Sequence, residues 1–537
     1  MNFVALYRNL DNTNSTLEKT QAMKDFFLTA NAKEAALGIS LLLGNLPPKK
    51  LKTVQLTEIA LSNAKIPRWL FEEAYASVGD LAETLSLIVG RSDSRPFTKN
   101  VSDWIDSMLT TPASALEAMQ EVWRDYDSFS IMVLIKLTTG GLRIGVARGI
   151  LIKAMAAAFV IPEANVAHSL TGRSTFDAAY IESLKNGGWK ELAQDTDLAT
   201  PYPFALASPV DGKIESLGDP SEWAIEWKWD GIRGQWIFRR GKMAIWSRGE
   251  ELVTDRFPEL HLNHVPYETL VLDGEILAWE PGGTSPLSFN YLQTRIGRKK
   301  ITAASLKEAP IKFLAYDCLE IDGKDLRAES LINRRKILEE VIKSLNFQNA
   351  AFELSAEVSI HDWEQAKTLR EEARARGVEG FILKRKTSAY FHGRKKGDWW
   401  KWKIDPMTLD AVLIYAQAGH GKRSNLFTDY TFALKDGEDK LVPVAKAYSG
   451  LTDKEIQELD RWIRAHTHER FGPVRSVDPE QVFELGFEGI AESGRHKSGI
   501  ALRFPRILRW RKDKPVSEID HVEEIRKLYL KHSELQR

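Results

Sequence analysis

The sequence changes its pattern near residue 195, and this change limits the possible folds more than any other feature. Before it, helical signals prevail: Ser15 and Glu18 have the spacing of a capping box, and a leucine run stops at Gly44 ahead of two prolines. Strand alternation is scarce there, so a helical bundle of about 190 residues is predicted. Residues 195–203 are polar and contain two prolines, which is typical of a linker.

Strand signals dominate after this linker. Segments rich in Trp, Ile, Val, Leu and Phe lie at 222–238, 243–247, 270–279 and 311–320. Helical stretches lie among them at 331–345 and 363–376, so an α+β or α/β domain is predicted to about residue 407. The remaining chain has strand-like segments at 409–416, 429–435, 440–448 and 481–493 around one helix at 452–466. That pattern predicts a small β-barrel.

The length of 537 residues fits three domains at the usual domain size. We place them at 1–198, 205–407 and 408–537. Lys and Arg together equal Asp and Glu at 74 each, which excludes a uniformly basic coat but not a local nucleic-acid site, since patches decide binding.

The single cysteine, Cys318, excludes an intrachain disulfide and a cysteine-based zinc site, and fits a reducing compartment. The first residues lack the basic and apolar regions of a signal peptide, and no apolar run approaches the ~20 residues of a membrane helix. We therefore expect a soluble cytoplasmic protein without membrane association.

The octet EWKWDGIR at 226–233 is the strongest candidate for chemistry. In a strand, its tryptophans would share one face, and Glu226, Lys228 and Asp230 the other. A lysine fixed between acids and followed by Arg233 is a candidate covalent nucleophile. The alternative is an ordinary edge strand, because Lys-x-Asp-Gly occurs by chance in about one chain in ten of this length.

A basic stretch at 384–403 is the second candidate. It contains eight Lys or Arg residues and one acid, Asp398. Lys401 and Lys403 alternate with Trp400, Trp402 and Ile404, which predicts a strand with one cationic face. Such a face suits phosphate groups, although a solvated basic strand gives the same pattern.

The octet resembles motif I of the covalent nucleotidyltransferase superfamily, which comprises DNA ligases, RNA ligases and messenger-RNA capping enzymes. Six segments resemble the other motifs in the family's order: SR at 247–248 (Ia), LDGE at 272–275 (III), AYD at 315–317 (IIIa), EGFILK at 379–384 (IV), WWKWK at 399–403 (V) and residues 503–514 (VI). Seven motifs in order favour a true resemblance over coincidence.

The resemblance implies a role for each motif. Arg248 is expected at the ribose, Glu275 at a ribose hydroxyl or a metal, and Tyr316 stacked on adenine, where many relatives have phenylalanine. Glu379 is expected near the metal and Lys384 near the phosphate. The nucleotide-binding residues so implied are Glu226, Lys228, Arg233, Arg248, Glu275, Tyr316, Lys384, Arg394, Lys401 and Lys403.

The implied reactants are ATP, whose AMP is carried covalently on Lys228, and Mg²⁺ (or Mn²⁺) held by Glu275 and Glu379. Arg503, Arg511, Asp513 and Lys514 of motif VI are expected to orient pyrophosphate. In the family, the domain that carries motif VI moves between steps, and residues 404–406 are a suitable pivot because Pro406 breaks the strand.

The N-terminal part also resembles the helical DNA-binding domain of larger DNA ligases, through VGDLAET at 78–84 and GGLRIGVARG at 140–149. Glycines at helix junctions allow backbone amides to approach phosphates, although Gly79 and Gly145 are equally explained as helix caps. Residues 289–299 match a further ligase pattern. Arg143, Gly145 and Arg298 are the expected DNA contacts.

The resemblance therefore implies a multidomain fold: an all-α DNA-binding domain, an α+β nucleotidyltransferase (ATP-grasp-like ligase) domain, and a C-terminal OB-fold β-barrel. It is closest to bacterial three-domain ATP-dependent DNA ligases, a group sometimes linked to cisplatin damage. The implied function is sealing of nicks in duplex DNA during repair, replication or recombination. The protein is expected in the bacterial nucleoid, as a monomer that encircles DNA, with a DNA-processing exonuclease as a partner by family association.

Other functions fit the sequence less well. An RNA ligase or capping enzyme shares most motifs, but a large helical N-terminal domain is not expected there. A non-catalytic DNA-binding scaffold is disfavoured because every expected catalytic position is occupied. A kinase with a phosphate-binding P-loop is disfavoured because no Gly-x-x-x-x-Gly-Lys-Ser/Thr sequence occurs. An NAD⁺-dependent ligase usually carries a cysteine zinc finger, which one cysteine cannot form.

Overall fold

The computed structural model describes the chain except residues 14, 50, 79, 91–93, 110–111, 172, 174, 188–199, 284, 299–300, 420–425, 438–439, 472–473, 494–497 and 536–537. Gly79 and most of the expected linker lie outside the described residues. Two compact units are formed: one by Met1–Ile161, Ser174–Asn186 and Pro406–Lys531, the other by Pro162–Arg173, Gly187–Asp405 and His532–Arg537.

The N-terminal region is helical, as predicted. Its described helices, α1 to α12, are Phe3–Asp11, Thr16–Thr29, Ala32–Leu42, Thr53–Ala64, Arg68–Val78, Leu81–Val89, Val101–Leu109, Pro112–Asp125, Ser128–Thr139, Arg148–Phe159, Glu163–Leu170 and Ala178–Lys185. The predicted stop at Gly44 is confirmed, because this glycine has a φ of 87° just after α3. The capping box at α2 is half formed: Ser15 accepts from the Glu18 amide at 3.3 Å, while the Glu18 carboxylate binds Thr13.

A buried carboxylate joins two of these helices. Glu34 accepts hydrogen bonds from the Phe3 amide at 2.8 Å and from the amides of Val101 and Ser102 at 3.1 and 2.8 Å. These amides lie at the first turns of α1 and α7, where helices leave N–H groups unpaired and concentrate positive charge. One side chain therefore fixes both helix starts.

The central region contains strands on both sides of the candidate lysine. Strands β1 to β12 are Ala205–Leu206, Ser208–Pro209, Trp223–Trp229, Ile232–Arg239, Lys242–Ser247, Thr269–Ala278, Ile311–Ile321, Lys324–Asp325, Phe352–Leu354, Val378–Arg385, Gly393–Arg394 and Trp399–Lys403. Helices α13 to α16 are Phe289–Gly297, Ala303–Glu308, Leu331–Gln348 and Trp363–Glu371. The predicted α+β domain is confirmed, and the strand-rich segment at 222–238 forms two strands, β3 and β4, joined by a turn at Asp230 and Gly231.

Two larger sheets build most of the described central region, and β1 and β11 form a separate two-stranded sheet. One has the order β5-β4-β6-β7-β8, with β9 beside β7, and the other the order β2-β12-β10-β3. Trp236, Leu272, Phe313 and Leu338 belong to the apolar core of the first sheet, whereas Ile225, Phe381 and Trp400 belong to that of the second. Strand β3, which carries Lys228, lies at an edge of the second sheet.

The C-terminal region is strand-rich and forms a half-barrel sheet. Strands β13 to β21 are Met407–Ala418, Phe427–Lys435, Leu441–Ala447, Thr467–Phe471, Val474–Val477, Val482–Phe487, Gly489–Glu492, Ile500–Arg503 and Arg506–Trp510. Helices α17 and α18 are Asp453–Ala465 and Val522–Leu535. Strand β13 pairs with β18 through its first half and with β17 through its second, which curves the sheet. Strands β16, β17, β20 and β21 and helix α18 were not predicted.

No described helix is both long and apolar enough to cross a membrane.

A buried ion pair anchors α15 to the first sheet. The Arg334 guanidinium donates to both oxygens of Asp317, at 2.7 and 2.9 Å, and neither side chain is exposed. We expect Arg334→Met to lower the free energy of unfolding by about 3–5 kcal/mol, because Asp317 would keep a buried charge without its partner. Urea denaturation followed by tryptophan fluorescence measures this change.

Lys343→Ala on the same helix is the control, since Lys343 pairs with Glu340 on the exposed side and its loss should matter little. Equal effects of the two substitutions would contradict the prediction.

Candidate active site

A β-bulge places a carboxylate against Lys228. Strands β3 and β10 pair Trp229 with Val378 and Trp227 with Phe381, so Glu379 and Gly380 together oppose the single residue Lys228. The Glu379 carboxylate forms an ion pair with the Lys228 ammonium and lies 3.3 Å from Lys403 Nζ. Burial would raise the pKa of Glu379, but the ammonium groups of Lys228 and Lys403 outweigh it and lower that pKa.

Gly380 is required by this bulge. Its φ is 122°, and a Cβ atom there would lie 2.3 Å from the Trp402 carbonyl oxygen of β12. No other residue fits both the backbone conformation and the space. The sequence motif contains this glycine, but the pattern alone does not reveal its purpose.

Glu275 is a second carboxylate in the surroundings of Lys228. It lies on β6 opposite Arg233 of β4. Burial raises the pKa of Glu275 to about 7, although the charges of Lys228 and Arg233 act in the opposite direction. This carboxyl therefore gains and loses its proton near neutral pH.

Arg233 is held inside the protein. Its guanidinium donates to both oxygens of the buried Asp273, at 3.1 and 2.7 Å, to the Ala205 carbonyl at 2.6 Å and to the Tyr390 hydroxyl at 3.4 Å. Four of its five N–H donors are thus directed at protein oxygens. Arg233 supports the site chiefly by fixing its neighbours, and the sequence did not predict its partners Asp273 and Tyr390.

Lys384 lies in a buried layer beneath Tyr316. Its Nζ atom is 4.2 Å from the centre of the Tyr316 ring and donates to the buried Glu226 carboxylate at 2.8 Å. Arg335 of α15 donates to the same oxygen at 3.0 Å. Burial lowers the pKa of Lys384, against the pull of Glu226. Within the protein, the Lys384 ammonium neutralises Glu226, and its expected phosphate contact stays a prediction.

Basic side chains gather around Lys401. Burial lowers the pKa of Lys401, and the charges of Arg394, Lys403, Lys228 and Arg248 lower it further. The predicted alternation of β12 is confirmed, because Lys401 and Lys403 face the same side and pair with Ile382 and Gly380. We call Arg248, Arg394, Lys401 and Lys403 the cationic cluster. Its mutual repulsion would be relieved by an anion such as phosphate.

The residues of motif VI lie in two separate places in the C-terminal region. Arg511 donates to Asp513 at 3.0 and 2.9 Å, and Lys514 Nζ lies 2.7 Å from Asp410 of β13. Arg511 lowers the pKa of Asp513 to about 2 through these hydrogen bonds. Arg503 lies apart from them, at the end of β20 opposite Gly489, with its guanidinium 5.1 Å from the Phe504 ring.

The expected DNA contacts lie on surface segments. Arg143 and Gly145 are exposed between α9 and α10, and their carbonyls accept from the Tyr7 hydroxyl at 3.3 Å and from Lys19 at 2.8 Å. Gly145 is not a helix cap, since Gly140 caps α9 and Ala147 precedes α10. Arg298 follows α13, and its carbonyl accepts from the Arg256 guanidinium.

The fold of the central region is that of a nucleotidyltransferase domain. Residues 205–403 match the family model described as ATP dependent DNA ligase domain. Residues 1–156 match that of the DNA ligase N terminus, and residues 423–514 that of the ATP dependent DNA ligase C terminal region.

Proteins with similar sequences are also named DNA ligases. A probable DNA ligase of Koribacter versatilis is 37% identical over 421 residues, which cover 74% of this chain and 71% of that protein. A DNA ligase of Methanococcoides burtonii is 26% identical over 564 residues and 98% of both chains. The chain therefore belongs to the ATP-dependent DNA ligase family, and the protein is an enzyme of this type.

A solved structure extends the likeness of fold to nearly the whole chain. The one titled Pmar-Lig_PreS3 has a TM-score of 0.58 and 15% identity, and the match covers 95% of this chain and 99% of that one. The three-part architecture predicted from the sequence is confirmed.

The raised pKa of Glu275 predicts a dependence of stability on pH. Its pKa is about 7 in the folded protein against 4.5 in its ordinary state, so the folded form binds the extra proton between these values. The free energy of unfolding contributed by Glu275 is then greatest below pH 4.5 and falls as the pH rises through 7. Relative to Glu275→Gln, native protein should lose about 3 kcal/mol of stability between pH 5 and pH 8.

Urea denaturation of both proteins at several pH values measures this difference. The glutamine variant is the reference, because glutamine does not ionise and the other ionisable groups are the same in both proteins. A constant difference between the two proteins across this range would contradict the prediction.

Proposed function

We propose that this enzyme seals nicks in duplex DNA through a lysine–AMP intermediate on Lys228. The observation that supports this most is the position of Lys228 Nζ, which is bound to Glu379 at the bulge, near Glu275 and the cationic cluster. A fixed lysine, two carboxylates and a cationic cluster are what nucleotide transfer from ATP to an amine requires.

The reaction consists of three displacements at phosphorus. The Lys228 amine attacks the α-phosphorus of ATP, a P–N bond forms, and pyrophosphate leaves. The 5′-phosphate of the nick then attacks the same phosphorus and releases the lysine. The 3′-hydroxyl finally attacks the 5′-phosphorus, closes the backbone and releases AMP.

Lys228 must be neutral to attack, whereas a free lysine has a pKa of ~10.4. Glu379 orients the Nζ atom through their ion pair, and Lys401 and Lys403 bring further positive charge to the same site. The same cations, with Arg248 and Arg394, would balance the negative charge that builds on the phosphates in the transition state.

The residues fit a divalent cation shared with the substrate. No group of three or more His, Cys, Asp or Glu side chains with suitable geometry is found in the described part of the chain. Glu379 contacts Lys228 and Glu275 interacts with its charge, and Mg²⁺ is commonly held by one or two carboxylates together with substrate phosphates. Bound there, Mg²⁺ (or Mn²⁺) would polarise the α-phosphate.

We place the nucleotide above the buried layer that Lys384, Glu226 and Arg335 form beneath Tyr316. Tyr316 would stack on adenine through its aromatic ring. Lys384 lies against this ring and is bonded to Glu226, so the two residues support the ring from within the protein. Glu226, Lys384 and Arg233 then act by holding this surface in place. Arg511 and Lys514 would bind pyrophosphate, with Asp513 and Arg503 as further members of motif VI.

The substrate and setting follow from the family. The helical region 1–198 would hold duplex DNA through Arg143 and Gly145, with Arg298 of region 205–407 as a further contact, while region 408–537 would move about residues 404–406 between steps. We propose action as a monomer on nicked DNA in the nucleoid, in repair, replication or recombination. An exonuclease partner rests on family association alone.

Lys228→Ala is expected to abolish transfer of label from α-labelled ATP to the protein, because the substitution removes the amine that attacks the α-phosphorus. Gel electrophoresis after incubation with ATP and Mg²⁺ measures this transfer, and addition of nicked DNA then measures sealing. Lys242→Ala is the matched control, since Lys242 is exposed on β5 of the neighbouring sheet.

Labelling of the Lys228→Ala protein would refute the assignment of the nucleophile. Labelling by GTP instead of ATP, or sealing of nicked RNA in preference to nicked DNA, would favour the capping-enzyme or RNA-ligase alternative.

A further inference from the structure

Asp410 joins the two principal cations of motif VI, although it belongs to none of the seven motifs. It lies on β13, and its Oδ2 atom accepts from Lys514 Nζ at 2.7 Å and from Arg511 Nη1 at 3.1 Å. The Asp410 side chain is 13% exposed, and those of Arg511 and Lys514 are 19% and 17% exposed. One carboxylate oxygen therefore holds two partly buried cations together.

The position of Asp410 is fixed by its backbone. Its amide donates to Oδ2 of Asp520 at 2.8 Å, and its carbonyl accepts from the Asp520 amide at 3.0 Å. Arg511 is fixed likewise, because its amide donates to the Val482 carbonyl at 2.8 Å. The carboxylate is thus a rigid anchor for the long side chains that reach it.

The anchored cations keep donors for a ligand. Three of the five N–H donors of Arg511 point at Asp513 or Asp410, which leaves two without a partner among the described residues. Lys514 uses one of its three donors on Asp410, which leaves two more within the same part of the chain. Two cations held on one carboxylate and keeping unused donors are suited to the oxygens of a polyanion.

Asp513 does not replace this anchor. Its side chain is 66% exposed, and among the described side chains it binds Arg511 alone. Without the negative charge of Asp410, Arg511 and Lys514 would repel each other in a partly buried position, where water screens their charges less than at the surface.

The second oxygen of Asp410 argues against a purely structural ion pair. Its Oδ1 atom is buried and has no hydrogen-bond partner in the described part of the chain. Burial of an unpaired oxygen is unfavourable, so an acid placed for stability alone would be expected to use both oxygens.

We propose that Asp410 is a positioning residue for the adenylation step, which holds Arg511 and Lys514 together so that their remaining donors bind the pyrophosphate portion of ATP. This inference rests on the proposed role of Arg511 and Lys514. Asp410 touches neither the substrate nor the reacting atoms, and it acts through these two cations.

Asp410→Asn in the full chain tests the proposal, because asparagine keeps the size of the side chain and removes its charge. The first measurement is the rate of lysine–AMP formation as a function of ATP concentration. The second is the sealing of a nick whose 5′ end already carries AMP, which needs no ATP. We expect kcat/KM for adenylation to fall about tenfold, chiefly through KM for ATP. Sealing of the adenylated nick should change by less than about twofold.

Asp436→Asn is the matched control, since Asp436 forms a similar ion pair with Lys440 at 2.9 Å in the same domain, outside motif VI. Unchanged adenylation by Asp410→Asn would overturn the proposal. An equal loss in both assays would also overturn it, because it would show a structural role. Normal adenylation by Arg511→Ala and Lys514→Ala would refute the pyrophosphate role in the proposed function, whereas loss in these variants with a normal Asp410→Asn protein would refute this inference alone.

Discussion

The bulge in β10 is the constraint on which the candidate active site depends. It turns Glu379 toward Lys228 while Phe381 and Leu383 stay in the apolar core, so one strand serves both packing and chemistry. If β10 were regular, a single residue would lie opposite Lys228. The side chains of β10 on one side of that position would then face the opposite side of the sheet. Because Gly380 also approaches the Trp402 carbonyl, the bulge brings β12 and its lysines close to the same lysine.

Buried charges around this site come in matched sets. Asp273 is paired with Arg233, Asp317 with Arg334, and Glu226 with Lys384 and Arg335. Each carboxylate is almost fully buried, and removal of one partner from such a pair leaves an uncompensated charge. The pairs therefore hold β3, β4, β7 and α15 in one arrangement, which fixes the surface expected to hold the nucleotide.

Much of this could be predicted from local patterns. The alternation at 223–229 and 399–403 predicted strands that the structure confirms, and the order of motifs predicted the domain architecture. Arg335 and Asp410 were missed because each acts on residues about one hundred positions away, so no local pattern marks them. The burial of Lys384 could not be predicted for a related reason: the motif gives the residue type, but its position beneath Tyr316 depends on how β7 lies against β10 and β12.

The two groups of cations differ in how their charge is balanced, and this difference indicates when each can bind an anion. In the cationic cluster, burial lowers the pKa of Lys401 and neighbouring positive charges lower it further, so the cluster contains repulsion that a phosphate group would relieve. In motif VI, Asp410 and Asp513 already offset Arg511 and Lys514, so little repulsion remains to drive binding. The cationic cluster is thus suited to hold the nucleotide through the chemical steps. The balanced motif VI group is suited to a weaker contact, which would allow the proposed release of pyrophosphate.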